Sequence, residues 1–263
     1  MGSEMSVGES ILGNTRRPLD ATPPEQPVSI SGRKDERVRL YVWQLPVRVT
    51  HWLTFGSIMV LSVTGGYIAD PFIIPPGGSV MTVMRFVHMV AAFAFVSSGL
   101  IRTYWWFAGN RFARWTAFLP VTRAQRGELG RQLGWYLLLR KDAPRVLGHN
   151  ALAAGSYLVV YLGFAAQTVT GFALAGANGS EPWATLFGWV PLLLGIQGVR
   201  LLHHMIMWLT LAFMVHHVYS ALLVDRVERN GLMSSIFSGF KFVTRREIEE
   251  ARDGGEEIQE SVE

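Results

Sequence analysis

The chain alternates long apolar blocks with short polar ones. Four blocks stand out: "HWLTFGSIMVLSVTGGYIA" (51–69), "FVHMVAAFAFVSSGLIRTYWWFA" (86–108), "ALAAGSYLVVYLGFAAQTVTGFALA" (151–175) and "LLHHMIMWLTLAFMVHHVYSALLV" (201–224). A helix needs about 20 apolar residues to cross about 30 Å of hydrocarbon, so each block predicts a membrane span. The expected spans are about 50–69, 86–108, 151–175 and 201–224. A fifth block, "PWATLFGWVPLLLGIQG" (182–198), is shorter and interrupted by Pro191, which predicts an interfacial or re-entrant segment. The fold class that follows is an all-α integral membrane protein, a four-transmembrane-helix bundle.

The flanks differ in character. Residues 1–40 are rich in Pro, Gly, Ser and charge, which predicts a disordered tail. They hold no apolar core of signal-peptide type, so the first span is expected to insert the chain. Residues 246–263 are polar and read as a second solvated tail, leaving 41–245 as the transmembrane domain. Within the middle loop, "GWYLLLRK" (134–141) suggests a surface-lying amphipathic helix.

Composition agrees: 49% of residues are hydrophobic and only 17% charged. No cysteine is present, which excludes disulfides, Cys-ligated zinc or iron–sulfur clusters, and covalently attached c-type haem within this chain. The formal charge of +4 reflects where basic residues fall. Loops 70–84 and 176–199 contain no Lys or Arg, whereas the 109–150 loop carries Arg111, Arg114, Arg123, Arg126, Arg131, Arg140, Lys141 and Arg145. Both flanks are basic as well. Basic residues in short loops mark the cytoplasmic side, so both termini and the middle loop are expected to be cytoplasmic. No basic stripe interleaves with aromatics on a soluble domain, which argues against nucleic-acid binding.

That orientation sets the depth of each histidine. His88 and His203 fall near the outer ends of spans two and four; His51 and His217 fall at the inner ends of spans one and four. Successive helical residues turn about 100°, so His203 and His217, 14 positions apart, lie roughly 40° from one another on one face. His204 and His216 share no such stripe with a partner and read as packing or helix-end residues, as does His149 in "GHN". A lone membrane histidine is ordinarily a packing or interfacial residue. Four matched in depth and face point further, to two sites about 21 Å apart along the axis at 1.5 Å per residue.

Two facing imidazoles suit the axial positions of an iron porphyrin better than bare zinc, which wants three or four protein ligands. The expectation is bis-His haem b, with His51, His88, His203 and His217 as iron ligands, acting in electron transfer. "RVTH" (48–51), "RFVH" (85–88) and "RLLH" (200–203) place Arg48, Arg85 and Arg200 one turn nearer water than each ligand, where haem propionates would emerge. Interfacial snorkelling explains Arg48 equally well.

With those residues in view, the chain resembles the b-type cytochrome subunit of membrane-bound nickel–iron hydrogenases, a four-helix di-haem family of cytochrome b561 type. The resemblance rests on "LPVRVTHWLT" (45–54), "VTGGYI" (63–68), "MRFVH" (84–88), "RTYWWFAGNRFAR" (102–114), "GHN" (148–150), "VTGFAL" (169–174), "HHMIMW" (203–208) and "HVYSALLVD" (217–225). It implies a multi-pass subunit of the cytoplasmic (inner) membrane that anchors the iron–sulfur small and nickel–iron large hydrogenase subunits and passes electrons to membrane quinone. It implies His88 and His203 as outer ligands and His51 and His217 as inner ones. Arg102, Asn110 and Arg111 are candidates to hydrogen-bond the quinone, with interfacial anchoring as the alternative. The rival readings are a formate dehydrogenase cytochrome subunit, a stand-alone b561-type transmembrane reductase, and a structural membrane anchor.

Overall fold

The computed structural model describes residues 36–71, 78–117 and 151–253. His149, the 134–141 stretch and most of the middle-loop basic residues lie outside them. In chain order the elements are strand β1 (Arg37–Tyr41), α1 (Leu45–Ala69), α2 (Ser79–Ala108), a 3-10 turn (Trp115–Ala117) and α3 (Ala151–Ala177). After these come α4 (Trp183–Phe187), α5 (Trp189–Glu228), α6 (Leu232–Ser238), strand β2 (Phe240–Thr244) and α7 (Arg245–Asp253).

Helices α1, α2, α3 and α5 are each long and apolar enough to cross a membrane. Each turns large apolar side chains outward: Val63 on α1, Phe107 on α2, Val159 on α3 and Val215 on α5 are all exposed. Water would penalise such surfaces, whereas lipid accepts them. All four crossings coincide with the expected blocks but run longer. Pro46 stands in the first turn of α1, where a missing N–H costs nothing, so that helix starts before residue 50.

The fifth block behaves differently from expectation. α4 is a five-residue turn, and the remainder of 182–198 joins α5, which is 40 residues long. Pro191 does not interrupt that helix, because it falls in its first turn, where backbone N–H groups have no helical acceptor. The break comes at Gly195 (φ 68°, ψ 151°), a conformation open to glycine and closed to most L-residues. Phe172 of α3 stacks on Trp183 of α4 with ring centres 4.2 Å apart, folding α4 back onto the end of α3.

The four long helices form two close pairs, α1 with α2 and α3 with α5, while backbones from different pairs approach at few points among the described residues. The α1–α2 seam is made of small and hydroxyl residues. Thr54 and Ser98 hydroxyls meet at 2.7 Å, and Ser98 donates to the Thr50 carbonyl at 2.9 Å. Within lipid there is no hydrophobic drive between helices, so close backbones and satisfied hydroxyls supply the association.

One end of the bundle is closed by a small cap. β1 pairs antiparallel with β2, Arg37 opposite Thr244 and Tyr41 opposite Phe240. Leu40, Val42, Trp43, Val47, Phe112, Ala113, Val243 and Ile248 form its core. Both domain limits expected near residues 40 and 245 therefore fall inside this cap. Alternation of Val38 and Leu40 with charged neighbours makes a short strand, and Ile248 of α7 is buried against it. Trp43 donates through Nε1 to Ser235 Oγ at 2.9 Å. The Gln44 Oε1 accepts from Trp105 Nε1 and from the Asn110 backbone N–H, both at 2.8 Å. The cap thus ties the start of α1 to the end of α2 and to the segment after α5.

Two outcomes follow. Gln44→Leu strands the half-buried Trp105 indole and Asn110 amide, each costing on the order of 1 kcal/mol. Thermal unfolding of the detergent-solubilised protein, followed by tryptophan fluorescence, should show a clearly lowered midpoint, and an unchanged midpoint would refute the role. Lys241 is buried in the cap, and burial pushes its ammonium below the ordinary lysine range, opposed by Glu228, Glu247 and Asp225. Its folded value lies below the unfolded one, so between the two the unfolded chain holds the extra proton. Cap stability should therefore rise with pH up to the ordinary lysine value of about 10.4, and Lys241→Met should flatten that rise.

Candidate functional site

The slot between the two helix pairs holds the histidines. His51 on α1 and His217 on α5 face each other, with ring centres 6.3 Å apart. A metal–imidazole bond is about 2.0–2.1 Å and the ring nitrogen lies roughly 1.1 Å from the ring centre, so two imidazoles sharing one iron stand about 6 Å apart. The centre-to-centre spacing matches that of two imidazoles sharing one metal. His51 Nδ1 is buried and has no hydrogen-bond partner among the described residues, while Tyr157 OH lies 3.4 Å from His217 Nδ1. Phe213, one turn before His217, stacks on its ring at 5.7 Å.

At the other end of the bundle lie His88 on α2 and His203 on α5. Each is seated the same way. His88 Nδ1 lies 2.8 Å from Thr64 Oγ1, and a Cβ on Gly65 would stand 3.3 Å from His88 Cε1. His203 Nδ1 lies 2.9 Å from Thr170 Oγ1, and a Cβ on Gly171 would stand 3.1 Å from His203 Cε1. A Val-Thr-Gly triplet on the neighbouring helix thus provides both the hydroxyl and the clearance for each ring. Gln167 fills the remaining side of His203, its amide Nε2 donating to the ring Nε2 at 3.2 Å while Oε1 is buried without a partner. That amide must swing aside before His203 can bind a metal.

His204 and His216 stand apart from both pairs. His204 Nδ1 bonds its own helix at the Arg200 carbonyl, 2.9 Å away, and exposed His216 meets Ser220 at 3.3 Å. Among the described residues no group of three or more His, Asp or Glu side chains could hold a metal ion.

The arginines divide. Arg85 and Arg200 are exposed at the end of the bundle beyond His88 and His203. Arg48 is engaged, donating through Nη1 to the Phe237 carbonyl in the cap. The three candidates for a quinone contact are engaged too. Arg102 is buried and donates to the Ala113 carbonyl at 3.1 Å. Asn110 donates to the Val42 carbonyl at 3.0 Å and accepts from the Ala113 N–H at 3.1 Å. Arg111 lies over the Phe112 ring, 5.0 Å from its centre. All three shape the turn after α2, because a chain leaving a helix beside a packed cap must satisfy its free carbonyls there.

Sequence reasoning missed Thr64, Thr170, Gln167 and Tyr157. For the threonines a signal was present: "SVTGGYIA" (62–69) and "TVTGFALA" (168–175) repeat the same triplet in the first and third spans.

Four membrane helices stand in two pairs, with His51 and His217 facing each other across the slot, the architecture of a multi-pass membrane protein. Residues 42–239 match the prokaryotic cytochrome b561 family, and the chain belongs to it. Its cofactor is accordingly haem b. Among curated relatives, one from Azotobacter vinelandii, named as a probable Ni/Fe-hydrogenase B-type cytochrome subunit, is 38% identical over 224 residues, covering 80% of this chain and 93% of its own length. A relative of the same name from Cupriavidus necator is 36% identical over 234 residues, 86% of this chain and 95% of the relative. The corresponding hydrogenase 1 subunit of Escherichia coli K12 is 31% identical over 219 residues, 80% of this chain and 93% of the relative.

The glycine clearances make a direct test. Gly171→Val drives a branched side chain into the His203 ring and should sharply lower the haem-to-protein ratio of the purified protein. Gly163→Ala, whose Cβ would meet only Ile206 at 3.9 Å, should leave it unchanged. Equal haem content in both variants would refute the seating of His203.

Proposed function

We propose that this chain is the membrane-anchoring cytochrome b subunit of a nickel–iron hydrogenase, passing electrons between the hydrogenase small subunit and the quinone pool. The observation that carries it is the His51–His217 spacing of 6.3 Å across the slot between helix pairs. The names of the relatives at 31–38% identity over most of the chain supply the hydrogenase assignment. Haem b, when bound, takes up and releases single electrons without bond making or breaking.

The residues have separate tasks. His51 and His217 hold one iron, and His88 and His203 the other, about 21 Å away along α5 at 1.5 Å per residue. Bis-His ligation leaves no open position, so oxygen is excluded and electron transfer is what remains. Arg85 and Arg200 receive the propionates of the haem at their end, where guanidinium–carboxylate pairing is favourable. Arg48 serves the cap instead. The bias of basic residues supports both termini and the cap on the cytoplasmic side of the inner membrane, with the His88–His203 pair outermost. The small and large hydrogenase subunits then dock at the outer face, and quinone reacts near His51 and His217.

Substitution of the ligands tests this. His88→Ala and His203→Ala should each remove about half the haem, measured as haem per chain, and abolish hydrogen-dependent quinone reduction in membranes. His204→Ala should change neither. Haem loss from His204→Ala equal to that from His203→Ala would overturn the ligand assignment.

A further inference from the structure

Thr64 and Thr170 occupy equivalent places in the two helix pairs, and their hydrogen bonds have a fixed direction. Thr64 donates its hydroxyl proton to the Val60 carbonyl at 2.7 Å, and Thr170 donates to the Ala166 carbonyl at 2.7 Å. With that proton committed, each hydroxyl can only accept from the imidazole, at 2.8 Å from His88 and 2.9 Å from His203. Nδ1 therefore carries hydrogen in both rings, and Nε2 presents its lone pair. The Gln167 amide, donating to His203 Nε2, agrees with that tautomer.

We propose that Thr64 and Thr170 are matched positioning residues of the outer pair, lowering the reduction potential of a haem held by His88 and His203. The inference rests on the bis-His reading above and deepens it. An imidazole that donates its second N–H is oriented and made more basic, so it favours the ferric over the ferrous state. The inner pair is built otherwise. Among the described residues His217 Nδ1 meets the Tyr157 hydroxyl at 3.4 Å, beyond the usual hydrogen-bond length, and His51 Nδ1 has no partner. The outer level is thereby made harder to reduce than the inner, and electrons entering from the outer face run downhill along α5.

A threonine in a membrane helix commonly bonds its own i−4 carbonyl for packing alone. Thr→Val keeps that shape and removes the acceptor, whereas Thr→Ser keeps the acceptor. Redox titration of the purified protein, with haem counted per chain and low-spin haem identified by electron paramagnetic resonance, separates the possibilities. The component lost in His88→Ala identifies the outer haem. In Thr64→Val and Thr170→Val that component should titrate at a higher potential, by up to about tenfold in the reduction equilibrium, or about 59 mV for one electron. Thr64→Ser and Thr170→Ser should titrate like the unsubstituted protein, and the inner component should not move.

Full haem with unmoved potentials in the valine variants, or serine variants shifted as far as valine ones, would overturn the inference. If the valine variants lose the outer haem, recovery by serine supports the hydroxyl role and continued loss refutes it. An unsubstituted protein without two low-spin haems per chain would refute the bis-His reading itself. Two haems with unmoved potentials sink only the threonine role.

Discussion

Everything in this bundle depends on one constraint of hydrocarbon: a polar group inside it must find its partner within the protein. The hydroxyls of Thr50, Thr64 and Thr170 each bond a carbonyl one turn back, and Ser98 reaches across to the Thr50 carbonyl. The Ser98 bond draws α1 onto α2, and the Thr170–His203 bond joins α3 to α5. Of the four imidazoles, His51 Nδ1 is buried without a partner among the described residues. His51 and His217 face each other across the slot between pairs, while His88 and His203 rest against hydroxyls of the neighbouring helices.

The slot has to stay open, and the cap contributes to that. Gln44 links α1 to the end of α2, Trp43 reaches Ser235 beyond α5, and Arg48 reaches Phe237. These contacts fix the end of the bundle nearest His51 and His217, so their separation is set by packing outside the membrane core. At the opposite end α4 plays a comparable part, with Phe172, Trp183 and Phe187 layered against α3 near Gly171. Side chains bridge the pairs at mid-helix, where Phe95 meets Phe164, and near the end of α2, where Trp106 meets Tyr161. The helix pairs are thus spaced by aromatic rings where backbones do not meet.

Much of this was legible in the chain itself. Apolar block length revealed four crossings because the bilayer imposes a length on any span, whatever its neighbours. The 14-residue interval between His203 and His217 revealed a shared face because helix geometry is local. By contrast, the cap pairs residues 37–41 with 240–244, and no local pattern announces a partner two hundred residues away. Arg102 and Asn110 looked available for a ligand because their composition suits one. They are instead engaged by Ala113 and Val42, contacts that exist only once the turn after α2 closes.

The sequence alone therefore determined the number of spans and the angular offset between His203 and His217, both governed by period and length along one chain. Tertiary structure alone decided the rest: the 6.3 Å gap between His51 and His217, the threonines behind His88 and His203, and the break at Gly195 rather than Pro191. Distances between helices arise from how surfaces fit, and a one-dimensional pattern carries no measure of that fit.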